Sequence, residues 1–123
     1  EIGVLGYEPL CRGLFSGKFN AESRFPRKDL RSRDPRFEGD AFQQRLDLVG
    51  ALESQAESLG MSVAQLAVAF SMEQESMTSV LCGARTGAQI KETSHTARMV
   101  LPEGVRQLIM GAVNDLGLEE LDC

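Results

Sequence analysis

Two rhythms of apolar residues organise the chain. In the first, hydrophobic positions are nearly continuous: Ile2, Val4, Leu5 and Tyr7 with glycines between them, then Met77, Val80, Leu81 and Cys82. Short runs of this kind suit buried strands of a parallel sheet, so the pattern predicts strands over residues 2–7 and 77–82. Elsewhere the spacing is helical. Leu46, Val49, Leu52, Ala56 and Leu59 fall on one face of a helix that Asp40 would cap and Gly60 would end. Ser62 with Gln65 has the form of a capping box, and Val63, Leu66, Ala67 and Phe70 follow at i, i+3, i+4, i+7. Ala64, Val68 and Ala69 widen that stripe until most sides of the helix read as buried. Thr86 with Gln89 starts a mostly polar helix reaching about residue 98, with Ile90 and Ala97 as its inward candidates. Pro102 suits the first position of a final helix striped by Val105, Leu108, Ile109, Ala112, Val113 and Leu116.

Strands alternating with helices indicate an α/β fold with two parallel strands and about four to five helices. Two parallel strands leave both sheet edges open, so the pattern predicts part of a larger α/β domain, with residues 1–123 a single partial domain. Residue 1 is Glu and a strand pattern begins beside it, which points the same way. Residues 8–39 carry little periodicity; a loop of that length is usually functional or mobile.

The totals narrow the function. A net charge of -5 without a basic helix argues against nucleic acid or an anionic membrane as partner. No apolar run is long enough to span a bilayer, and no signal peptide pattern is visible. Cys11, Cys82 and Cys123 are an odd number without CxxC spacing. They read as free thiols in a reducing, cytoplasmic setting, with no metal site.

Chemistry concentrates in two places. After the second strand, Gly83-Ala84-Arg85-Thr86-Gly87 turns into a helix start. Free backbone N–H groups and the positive helix end favour an anion there, and Arg85 offers a fork of donors suited to phosphate. An ordinary strand–helix connection with a surface arginine satisfies the same pattern. Within the long loop, Arg24, Arg27, Lys28, Arg31, Arg33 and Arg36 gather six of the thirteen basic residues. The plainer reading, and the one we take, is a solvated loop whose charge Asp29 and Asp34 offset.

Gly6-Tyr7-Glu8-Pro9-Leu10-Cys11-Arg12-Gly13-Leu14-Phe15-Ser16-Gly17-Lys18 resembles the Y-S-P-L-x-x-G-L-L-T-G-K segment that follows the seventh strand of aldo-keto reductases. Arg24-Phe25-Pro26 and Arg31-Ser32-Arg33-Asp34-Pro35-Arg36-Phe37 resemble the loop of bacterial-type members. Gly83-Ala84-Arg85-Thr86 with Gln89, Glu92 and Thr93 is similar to their G-x-R-x-x-x-Q-x-x-E-N segment after the eighth strand. The resemblance implies the C-terminal part of a (β/α)8 TIM barrel, whose phosphate sites frequently follow strands seven and eight.

It also implies bound NADPH. Tyr7 matches the aromatic that stacks on the nicotinamide ring. Pro9, Leu10, Arg12, Gly13, Ser16, Gly17 and Lys18 match the segment around the pyrophosphate. Gly83, Ala84, Arg85 and Gln89 match the segment around the adenosine 2′-phosphate, and Glu92 and Thr93 match the pair at the adenine amino edge. Two positions depart from the family: Glu8 replaces Ser, placing a carboxylate near a pyrophosphate, and Thr93 replaces Asn, which loses the two-sided match of an amide.

The family's catalytic Asp, Tyr, Lys and His lie on earlier strands, so no catalytic residue is expected here. Tyr7 aligns with the stacking aromatic, and His95 falls in the helix after the last strand. The function so implied is the NADPH-binding portion of an aldo-keto reductase that, with the remainder of the barrel, reduces a carbonyl substrate to an alcohol. The alternatives are a nucleotide-binding accessory or regulatory subunit of the same fold, or a truncated reading frame with no activity.

Overall fold

A computed structural model describes residues 2–118. Its sheet is a parallel pair, β1 (Val4–Tyr7) against β2 (Met77–Leu81). Leu5 faces Ser79, Gly6 faces Val80 and Tyr7 faces Leu81, with an irregularity between Val4 and Leu5. There the Thr78 hydroxyl accepts the Val4 N–H at 2.9 Å, so a side chain replaces a ladder carbonyl. Ile2 and Gly3 therefore lie outside the strand that their apolar character predicts.

Between the strands the chain makes α1 (Gly39–Ser58) and α2 (Val63–Met72), and after β2 it makes α3 (Gly87–His95) and α4 (Val105–Asp115). The core forms where α1, α2, α4 and the start of the long loop meet: Leu14, Phe15, Leu48, Leu52, Leu66, Ile109 and Val113 are all buried there. The opposite sheet face is uncovered. Leu5, Tyr7 and Leu81 share it by the alternation of strand side chains and are 61%, 77% and 55% exposed. Both strands were expected to be covered on both sides; in this chain the helices cover one. The two parallel strands with their helices have the arrangement of part of a (β/α)8 barrel.

The helix ends show what local sequence decides. Gly60, at φ 68, closes α1: its N–H reaches Glu57 C=O and the Met61 N–H reaches Ala56 C=O, both at 3.0 Å. This six-residue closure satisfies carbonyls the helix leaves unpaired. The Ser62–Gln65 and Thr86–Gln89 capping boxes are both formed.

Three expectations are corrected. Asp40 does not cap α1; Glu38 holds that position and Asp40 sits in the first turn, where its charge favours the positive helix end. Pro102 does not begin α4; the helix starts at Val105 after Gly104, at φ 89, and the Val105 N–H closes a turn on Pro102 C=O. Finally, α3 stops at His95 and a 3-10 turn over Thr96–Arg98 follows. The inward residue is Thr96, 1% exposed, while Ile90 is 57% exposed and Ala97 is exposed. Among the described helices α3 packs chiefly on α2, and Ile90 is left largely exposed.

The buried side chains should set stability. Leu48→Ala or Leu66→Ala, each in the complete barrel, is expected to cost about 2–5 kcal/mol through lost contacts and a residual cavity. Gln44→Ala on the exposed face of α1 should stay within about 0.5 kcal/mol, read from urea unfolding midpoints.

Candidate functional site

Parallel pairing puts Tyr7 beside Leu81, so the loops that follow both strands leave from one end of the sheet. The first loop turns sharply. Glu8, Cys11 and Arg12 have φ of 55, 46 and 53, and Gly13 and Gly17 follow at 88 and 70. Left-handed backbone at non-glycine residues costs of order 1–3 kcal/mol each and persists only where surrounding contacts impose it. Here Cys11 N–H closes on Glu8 C=O and Gly13 N–H on Leu10 C=O, both at 2.8 Å, and the Ser16 hydroxyl donates to Gly13 C=O at 2.5 Å. At Gly17 the left-handed backbone is what calls for glycine; a Cβ there would meet the flexible end of Glu53.

The basic part of the loop has the offset expected from Asp29 and Asp34, and four of its six cations are exposed, but Arg31 and Arg36 are more ordered than a solvated loop implies. Asp34, 8% exposed, accepts Arg12 Nη1 at 2.9 Å and Arg36 Nη2 at 2.7 Å. Hydrogen bonding from Arg36 holds the Asp34 carboxyl below its ordinary value even though burial pushes it up. Asp29 grips Arg31 in the same way, with Nη2 at 2.5 Å and Nε at 2.9 Å. The Arg31 guanidinium lies over the rings of Phe19 and Phe25, 5.1 and 4.7 Å from their centroids. Phe25 stands edge-on to Phe37 at 5.3 Å and to Phe42 of α1 at 6.0 Å, which ties the loop to the core. Arg24, Arg27, Lys28 and Arg33 remain exposed.

In the second loop Gly83, Ala84 and Arg85 are exposed. Gln89 Oε1 accepts both the Arg85 N–H at 2.8 Å and the Thr86 N–H at 3.2 Å, which fixes the turn. Arg85 and the first loop are electrostatic neighbours. The Asp29 carboxyl is lowered to about 2, chiefly by hydrogen bonds from Arg31 and in part by the charge of Arg85. Arg31 in turn approaches Gly13, as does Lys18, within 3.7 and 3.6 Å of where a Cβ would stand. Lys18 and Arg31 thus both lie beside Gly13, Asp29 holds Arg31, and the charge of Arg85 on the second loop makes the smallest contribution at Asp29.

The remaining expected residues are placed as follows. Tyr7 stands exposed on the open sheet face, and Pro9 and Leu10 are half-buried at the loop start. Arg12 is engaged within its loop, by Asp34 and by Glu8 at 3.5 Å. Glu92 accepts the Ser62 hydroxyl at 2.6 Å, and the Thr93 hydroxyl donates to Gln89 C=O at 2.9 Å. His95 is exposed with Nδ1 2.7 Å from Lys91 C=O.

Cys82, just before the second loop, is free, but Cys11 is disulfide-bonded. That corrects the expectation of free thiols at Cys11: pairing depends on approach in space, which spacing along the sequence does not reveal. Cys123 lies outside the described residues. An apolar cavity of about 200 Å³ opens between the covered sheet face and α2, lined by Pro9, Phe15, Leu66, Phe70 and Met77 among others. It lies in the strand–helix layer, and its apolar walls do not suit a phosphate.

Sequence reasoning missed Arg31, Asp34, Ser62 and Gln65 as organisers of the site. A usable signal was present for two of them: Asp29-Leu30-Arg31 and Asp34-Pro35-Arg36 repeat one Asp-x-Arg pattern. Each aspartate caps a 3-10 turn and accepts the arginine two residues on.

The fold and the paired loops define a class: α/β barrel proteins that carry their ligand sites at the strand ends. The sequence model of the Aldo/keto reductase family matches residues 1–112, and the chain belongs to that family. Aldo-keto reductase YhdN of Bacillus subtilis (strain 168) is 38% identical over 95 residues, covering 76% of this chain and 29% of its own. Aldo-keto reductase yakc [NADP(+)] of Schizosaccharomyces pombe is 31% identical over 74 residues, 60% of this chain and 22% of that protein. The structure of the glycerol dehydrogenase AKR11B4 from Gluconobacter oxydans superposes with a TM-score of 0.87 at 31% identity, over 98% of this chain and 36% of that one. The chain therefore spans about a third or less of the length of these relatives.

The loop pairs should respond to acid in a defined direction. Asp29 and Asp34 both have folded-state values below 3.8, so their stabilisation is complete above 3.8. It is lost as pH falls through the folded values, about 2 for Asp29. Asp34→Asn should cost about 2–3 kcal/mol at neutral pH, because two arginines lose a shared carboxylate. The gap in Tm between wild type and Asp29→Asn should close as pH falls from 3.8 toward 2.

Proposed function

We propose that this chain is the cofactor-gripping part of an NADPH-dependent aldo-keto reductase and works as part of a complete barrel. The observation that supports it most is that successive strand-end loops leave from one end of the parallel pair and carry an exposed Lys18 and an exposed Arg85. A dinucleotide carrying a pyrophosphate and a 2′-phosphate calls for cations on both loops, and NAD, with a hydroxyl there, needs one fewer.

The residues fit that group. Arg85 is exposed, and among the described residues no hydrogen bond or ion pair engages its guanidinium, so it is open to the 2′-phosphate. Lys18 and the left-handed turn at Cys11, Arg12 and Gly13 would hold the pyrophosphate. The exposed ring of Tyr7 would stack on the nicotinamide. Glu92 would accept the adenine amino group, with Thr93 as a weaker companion: its hydroxyl hydrogen is already given to Gln89, so it can only accept. The bound cofactor supplies a hydride from C4 of its nicotinamide. The carbonyl it would reduce is the substrate's, and the tyrosine that would protonate the alcohol oxygen is expected elsewhere in the barrel.

Arg85→Ala in the complete barrel should weaken NADPH by about 1.5–3 kcal/mol and NADH much less, read by fluorescence titration. Equal weakening of the two would remove Arg85 from the 2′-phosphate. NADPH binding by the complete barrel without reduction of any aldehyde or ketone would favour the accessory-subunit reading instead.

A further inference from the structure

Glu92 lies in the last turn of α3, and two side chains from the start of α2 reach across to it. Ser62 donates its hydroxyl to Glu92 Oε1 at 2.6 Å, across 30 residues of sequence. Gln65 Nε2 donates to the backbone carbonyl of Glu92 at 3.2 Å, across 27 residues. The same pair caps its own helix: the Gln65 N–H reaches Ser62 Oγ at 3.2 Å and the Ser62 N–H reaches Gln65 Oε1 at 3.0 Å. Carbonyls in the last turn of a helix lack an in-helix partner, so one glutamine closes the N-terminus of α2 and helps close the C-terminus of α3. Capping requires only the local bonds. The Thr86–Gln89 box of α3 makes the local bonds and no comparable bond to another helix. The reach to Glu92 is thus an addition to capping, and it falls on a carboxylate.

From this geometry we infer that Ser62 and Gln65 are positioning residues for purine recognition. They fix Glu92 by its backbone and by one carboxylate oxygen, leaving Oε2 to accept the amino group of adenine. Among the described residues no hydrogen bond engages that oxygen. A carboxylate held by a second contact keeps one orientation and loses less freedom when a ligand arrives. The inference rests on the reading that Glu92 faces adenine.

The test compares NADPH with its hypoxanthine analogue, in which a carbonyl acceptor replaces the amino donor. Dissociation constants for both are measured in the complete barrel, and their ratio is the readout; helix capping alone does not move it. Glu92→Gln should bring the ratio toward parity, because a flipped amide can donate to the analogue's carbonyl. Ser62→Ala should lower the preference for adenine roughly 3- to 10-fold, and Gln65→Ala should lower it in the same direction. Ser62→Thr keeps the hydroxyl and should restore the preference. Ser62→Asp keeps a good capping oxygen but opposes Glu92, so it should lose the preference while the melting temperature holds.

Wild-type selectivity in Ser62→Ala and Ser62→Asp, with Glu92→Gln at parity, would make Ser62 a cap and nothing more. A loss in Ser62→Ala that Ser62→Asp does not share would overturn the inference in the same way. Wild-type selectivity in Glu92→Gln would instead remove Glu92 from adenine, and the inference would fall with that reading.

Discussion

Parallel pairing of β1 and β2 is the constraint on which the site depends. In an antiparallel pair the loops after the two strands would leave from opposite ends of the sheet. Here Tyr7 and Leu81 end side by side, so both loops start from one edge. The crossover that parallel pairing requires is long, and α1 and α2 supply it. Of the two, α2 packs on the strand pair and α1 packs on α2, leaving Leu5, Tyr7 and Leu81 largely exposed. Apolar strand residues on the second face call for further strands, and that geometry is the barrel's: the uncovered face is the inside of the cylinder, and the paired loops lie on its rim.

The first loop must then hold a strained shape without regular structure. Its order comes from charge and aromatic contacts that close on one another. Asp34 is buried, and a buried carboxylate is tolerable only when its lone pairs are used. Arg12 and Arg36 use them. Arg12 also stands 3.5 Å from Glu8, the residue that departs from the family's serine. The carboxylate that would repel a pyrophosphate is thus offset four residues away, and the same contact holds two left-handed residues in place. One consequence follows for the cofactor. Arg12 already faces two carboxylates, so of the cations matched to the phosphate segments Lys18 and Arg85 are the ones left without a carboxylate partner among the described residues.

What the sequence made legible was local. The Ser62–Gln65 and Thr86–Gln89 boxes, the glycine closure at Gly60 and the stripes of α1, α2 and α4 are patterns of a few residues, and each formed where the pattern stood, except that Leu108 of the α4 stripe is 54% exposed. Where two local signals compete, the pattern does not choose between them. Glu38 and Asp40 both stand near the start of α1, and Pro102 competes with Gly104 at the start of α4. The inward face of α3 was hidden for another reason. Thr96 is buried by a 3-10 turn that shifts the register after His95, and helical spacing does not anticipate that shift. The order of the long loop was least legible. It rests on Phe19, Phe25, Phe37 and Phe42 meeting across the loop and α1, with Arg31 lying over two of them. Charge counting weighs such residues one at a time, so a basic loop looked solvated. That these residues would grip a dinucleotide was legible only through family resemblance, because a strained turn and exposed cations do not name a ligand.

The three α3 side chains expected to meet the nucleotide, Gln89, Glu92 and Thr93, each carry a second contact that leaves part of their bonding capacity open. Gln89 gives its oxygen to the Arg85 turn and keeps its amide hydrogens. Thr93 gives its hydrogen to the helix and keeps its lone pairs. Glu92 gives one oxygen to Ser62 and keeps the other. A surface helix with these residues in free rotamers would lose about 0.5–1.5 kcal/mol for each side chain a ligand immobilised. Here that ordering accompanies folding, because the contacts that hold the side chains are the same ones that satisfy helix ends and turns. α3 is short, mostly polar and without a buried residue of its own, so little apolar packing holds it in place. Its orientation depends on the bonds from Ser62 and Gln65 and on the turn that Gln89 closes. The helix is therefore held by its polar ends, and those ends are where the nucleotide contacts are expected.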